Sequence, residues 1–132
     1  METDTKEVKI YKKGELVATA SHVRHVEVSM PGCGEDEEVI YDCYHLPRVN
    51  LERLLIFRIL NREPMSSIFN DASVEIHGEQ VEPVYYVHGI VETFRGNPYI
   101  SSVVLAKPNK PVTTSEFAKN LPELYRRFSA AL

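Results

Sequence analysis

The chain has 132 residues, 43% of them hydrophobic and 26% charged, with a formal net charge of −4. Those values fit one soluble globular domain able to bury its own core, and no apolar run approaches the length of a membrane-spanning helix. The acidic balance argues against strong unspecific attachment to phosphate backbones, and two cysteines, Cys33 and Cys43, make no disulfide framework, which predicts reduced thiols.

Residues 1–13 are polar and charged without an apolar h-region, so the chain is expected to be intracellular, with a frayed leader over 1–5. Val8 and Ile10 alternate with Lys9 and Tyr11, Lys12 to Glu15 offers a turn, and Leu16 to Met30 continues in β-formers. The alternation slips near Arg24-His25, as a bent or bulged long strand would make it do. Pro31 to Gly34 with the acids Glu35 to Glu38 predicts an exposed loop. Val39 to Leu46 predicts a third strand ended by Pro47.

Asn50 suits a helix N-cap, and Leu51, Leu54, Leu55 and Ile59 follow at helical spacing, predicting a helix from about Leu51 to Asn61; a buried strand over 54–60 is the competing assignment. Pro64 stops either element. Val74 to His77 suggests a short extra strand. Val84 to Phe94 and Tyr99 to Ala106 flank a tight Gly96-Asn97-Pro98 element and predict a β-hairpin. In its first strand Tyr85, Val87, Gly89, Val91 and Thr93 share one face, and Tyr86, His88, Ile90, Glu92 and Phe94 the other. Gly89, in mid-strand, marks a bulge, a bend or a close backbone approach. Thr113-Thr-Ser-Glu116 is a capping box, and Phe117, Leu121, Leu124, Phe128 and Leu132 form one helical stripe, interrupted at Pro122 by a kink or a break into two helices.

The expected order is three strands, a helix, two strands and a terminal helix, which is the order of a five-stranded OB-like barrel with a helix between strands 3 and 4. The barrel is expected over 1–111 and the C-terminal helix over 112–132. The run from Tyr86 to Ile100, with Gly89, Phe94, Gly96 and Pro98-Tyr99-Ile100, resembles the last two strands of OB-fold subunits such as the middle subunit of replication protein A, the telomere-capping Stn and Ten proteins, and the small RecQ-mediated genome instability subunit. That resemblance implies a C-terminal helix used for packing between subunits and a role in complexes that handle single-stranded nucleic acid.

OB domains bind single strands by stacking bases on exposed aromatics beside a basic groove. The candidates are Tyr86, Phe94 and Tyr99 with Arg95, Lys107 and Lys110, and Tyr41 and Tyr44 on the third strand. Charge favours the second half of the chain, where six basic residues from Val84 onward face three acids. The stripe Phe117, Leu121, Leu124 and Phe128 needs an apolar cover, either a protein partner or second copy, or the chain's own barrel. His22, His25, Cys33, Cys43 and His45 are conceivable zinc donors, but they lack a converging Cys-x-x-Cys spacing, so neither metal nor cofactor is expected. No nucleophile elbow, phosphate loop or dinucleotide fingerprint occurs, which favours a non-enzyme. The alternative is a small α+β enzyme or ligand-binding domain with a pocket of His77, His88 and Tyr86.

Overall fold

Three turns of two residues each, Lys13–Gly14, His77–Gly78 and Arg95–Gly96, have φ between 52° and 84° at both positions. Positive φ at both central residues is the hairpin geometry whose twist matches that of the flanking strands. These turns organise a computed structural model that describes residues 7–32 and 37–132. The expected polar leader and residues Cys33 to Asp36 of the expected acidic loop lie outside the described residues.

The elements are β1 (Val8–Lys12), β2 (Glu15–Ala20), β3 (Arg24–Pro31), β4 (Glu38–Leu51), α1 (Arg53–Leu60), α2 (Met65–Phe69), β5 (Ala72–Ile76), β6 (Glu79–Phe94), β7 (Asn97–Pro108) and α3 (Thr114–Ala131). The sheet runs β2-β1-β5-β6-β7-β4-β3, and a further β2–β4 pairing closes six strands into a barrel. Every pairing among the described residues is antiparallel. The fold is thus an OB-like β-barrel with helices between its two halves and a C-terminal helix. It has six strands where five were expected, because the short stretch near Val74 is a full strand paired with both β1 and β6. Among the described residues no helix is long and apolar enough to cross a membrane.

The slip near Arg24 is the gap between β2 and β3. Both lie along one edge of β4, β3 against residues 38–45 and β2 against 49–51. Pro47 therefore does not end the strand as expected. It falls where that edge changes partner, so its missing N–H costs no ladder bond there, while on the other edge β4 stays in register with β7 from Tyr41 to Val49. Asn50 is a strand residue opposite Thr19, and Glu52 takes the N-cap position of α1.

Two cores result. Inside the barrel, Ile10, Ala18, Leu46, Val74, Val84 and Leu105 meet Leu55, Ile68 and Phe69 of the connecting helices. On the outside, Val28, Met30, Tyr41, Cys43, Val87, Val104 and Ala106 meet α3. Strand β7 shows the division directly: Val103 and Leu105 face inward, Val104 and Ala106 outward.

Thr113 caps α3, its hydroxyl accepting the Glu116 N–H at 3.1 Å. The helix runs unbroken through Pro122, which is solvent-exposed, so water can serve the carbonyl that loses its partner. Phe117, Leu124 and Phe128 are at most 4% exposed, and Leu121 packs beside them. The cover that this stripe requires is the chain's own barrel. Arg127 adds a tether, its Nη1 donating to the Ser29 carbonyl of β3 at 2.7 Å.

Leu124 is wholly buried, so Leu124→Ala should cost about 2–5 kcal/mol in urea unfolding. Leu124→Glu should give a loosened or unfolded chain. A folded monomer released from a dimer, seen by light scattering, would show instead that the stripe joins two copies.

Candidate nucleic-acid interface

Strands β6 and β7 extend to a tip where Glu92 pairs with Tyr99, Thr93 with Pro98 and Phe94 with Asn97. The turn is Arg95–Gly96, one step earlier than the expected Gly-Asn-Pro element, and Asn97 and Pro98 belong to β7. Alternation along the two strands places Glu92, Phe94, Asn97 and Tyr99 on one face. That face and residues 47–50 of β4 line an open groove of about 720 Å³. Phe94 is 64% exposed and Tyr99 40%. The Arg95 guanidinium stands 5.2 Å from the centre of the Phe94 ring, close enough for a cation–π attraction. The Tyr99 hydroxyl reaches Glu92 at 3.4 Å.

Arg48 lines the same groove and holds φ at 53°, a left-handed conformation that costs a non-glycine residue about 1–2 kcal/mol. Arg48, Pro47 and Asn50 were not anticipated as site residues. Pro47 read as a strand end, and nothing in the local sequence shows β4 passing beneath a hairpin some fifty residues further on.

The structure brings Phe94, Arg95 and Tyr99 together and separates the remaining candidates from them. Register shifts on either side of Gly89, between Tyr86 and His88 and between Ile90 and Val91, break the expected common face of Tyr86 and Phe94. Tyr86 turns into the barrel and stacks on Phe69 with ring centres 6.4 Å apart. Its phenol is pushed above the usual tyrosine range by burial, and its backbone N–H donates to the Asn70 side chain at 2.7 Å. A Cβ on Gly89 would stand 3.1 Å from the Tyr86 hydroxyl and 3.3 Å from the Ser102 carbonyl; of the bulge, bend or close approach expected there, this is the close approach, with register shifts on either side. Lys107 and Lys110 line a different depression with Tyr85 and Pro108, roughly 26 Å along β7 from Tyr99 at about 3.3 Å per residue. Tyr41 is buried under Phe117, and Tyr44 stacks on His25.

His77, His88 and Tyr86 do not converge. His77 sits in an exposed turn, His88 packs on Tyr125 of α3 at 4.6 Å, and Tyr86 is inside the barrel. Among the described residues, the donors considered for zinc do not gather into one cluster. Cys33 lies outside the described residues, and His45 faces Phe128, with burial first and Arg24 second lowering its pKa. Cys43 is sealed beneath α3, where burial first and the Asp42 charge second push its thiol up to about 12. No family model matches the chain, and no match is found among curated proteins or solved structures.

In a Cys33→Ser chain, Cys43 should resist thiol-specific reagents at pH 8 and react once guanidinium unfolds the barrel. Its folded pKa exceeds the unfolded value near 9, so the stability tied to the protonated thiol is intact below pH 9 and declines from there towards pH 12. Rapid labelling of the native protein would contradict the burial.

Proposed function

We propose that the chain is a non-catalytic barrel subunit, within the cell, that holds single-stranded nucleic acid in the groove at the β6–β7 tip. Bases stack on Phe94 and Tyr99, and Arg48 and Arg95 attract the phosphates. The observation that carries this is the pair of exposed aromatics on one hairpin face, bordered by two arginines. Such a surface answers the needs of single-strand binding, because every base offers a π-face and stacking tolerates sequence. The likeness of Tyr86 to Ile100 to OB-fold single-strand subunits supports the same role. Assembly with a protein partner belongs to that role too, through surfaces other than the buried stripe of α3.

With two arginines at the groove, affinity for an oligothymidylate should fall with salt at a log–log slope of about −1.4, taking about −0.7 per phosphate neutralised on a single strand. Replacing Phe94 and Tyr99 together by alanine should weaken binding by at least tenfold, since each stacked base contributes about 1–3 kcal/mol. Lys107→Glu should change little. Fluorescence anisotropy at low salt checks all three. Absence of binding, or binding indifferent to Phe94 and Tyr99, refutes the proposal.

A further inference from the structure

His25, Glu27 and Asp42 stand apart from the groove, on neighbouring strands. His25 and Glu27 are two residues apart on β3 and share a face; Glu27 is directly opposite Asp42 on β4, and His25 is opposite Tyr44. The imidazole Nε2 is 2.8 Å from Asp42 Oδ1, and one donor atom from each of the three residues lies within 4.8 Å of the other two. The His25 ring stacks on Tyr44 at 5.1 Å with 23° between planes, which limits how it can turn. His25 and Glu27 are exposed and Asp42 is half-buried, leaving an approach from solvent.

Directly opposed carboxylates repel across a strand pair, and one imidazole cannot neutralise two of them. Lys107 is opposite Asp42 on the other side, in β7, but the side-chain hydrogen bond that Asp42 makes is with His25. We propose that His25, Glu27 and Asp42 form a surface site for a divalent transition ion of the zinc class, with water completing the coordination. A mixed nitrogen and oxygen set suits that class. Magnesium and calcium take oxygen ligands, more of them than three side chains supply, whereas imidazole suits zinc, copper, nickel and iron. In tetrahedral zinc the donor atoms are about 3.4 Å apart, from metal–ligand distances near 2.1 Å. The His25–Asp42 contact therefore opens slightly to admit the ion, and the exposed Glu27 side chain closes by rotation about its own bonds.

Zinc chloride titrated calorimetrically into the purified full chain should bind one equivalent, raise the melting temperature, and be indifferent to excess magnesium. Cobalt(II) in its place should give the visible absorption of a low-symmetry site. His25→Ala and Asp42→Asn should each weaken zinc by at least tenfold while circular dichroism shows the barrel intact. His22→Ala should leave binding unchanged. No saturable zinc binding by the native chain, or affinity retained in both His25→Ala and Asp42→Asn, overturns the site, as does binding lost only with His22 or the Cys33 thiol. If either strand variant fails to fold, Glu27→Gln decides: unchanged affinity for zinc and an unchanged cobalt spectrum overturn the site.

Discussion

Closure of the barrel depends on one strand serving three others. Along one edge, β4 gives up β3 for β2 in the neighbourhood of Pro47 and Arg48, while its other edge stays paired with β7. Without that exchange β2 would have no second neighbour and the sheet would remain open. Leu46 and Val49 both enter the interior although three residues apart, so the strand coils across the left-handed Arg48. The residues that permit closure are also the floor of the groove beneath Phe94 and Tyr99. A backbone demand of the fold thus places Arg48 in the lining of the groove that Phe94 and Tyr99 also line.

The second constraint is that β4 and β7 contribute side chains to both cores. Inward side chains fill the barrel, and outward ones need a second layer. Helix α3 supplies that layer. Burying each large apolar side chain contributes roughly 1.5–3 kcal/mol, so the helix is as much a part of the core as the strands. Its outer surface keeps a charged cluster in which Arg126 and Arg127 hold Glu123 at a pKa of about 2, and this face stays polar.

Much of this organisation is legible in the residues. The hairpin, the capping box at Thr113, the helical segment after residue 50 and the slip near Arg24 all rest on local chemistry: paired β-branched runs, a hydroxyl three residues before an acid, and a break in alternation. Contacts distant in sequence are not legible in that way. The inward turn of Tyr86 follows from register shifts set by β7 and from the space left at Gly89, and a period-two reading places it wrongly beside Phe94. Pro47 reads as a terminator because its tolerance depends on which neighbour each edge of β4 has. Pro122 reads as a kink or a break, and of these the break is absent because its exposure, which lets one helix continue through it, is a tertiary property. The proximity of Arg48 to Phe94 and of His25 to Asp42 exists only once the strands are aligned.

The bond from Arg127 to the Ser29 carbonyl has a consequence for self-association. Strand β3 ends the sheet order, and a terminal strand is a template on which another molecule can add its own backbone. Here a guanidinium occupies one of the free acceptors, Pro31 closes the strand, and Arg24 and Glu27 flank the rest with charge. The helix that seals the outer core therefore also guards the sheet's margin, and a chain whose helix has detached would bare sticky apolar surface and an unguarded strand together.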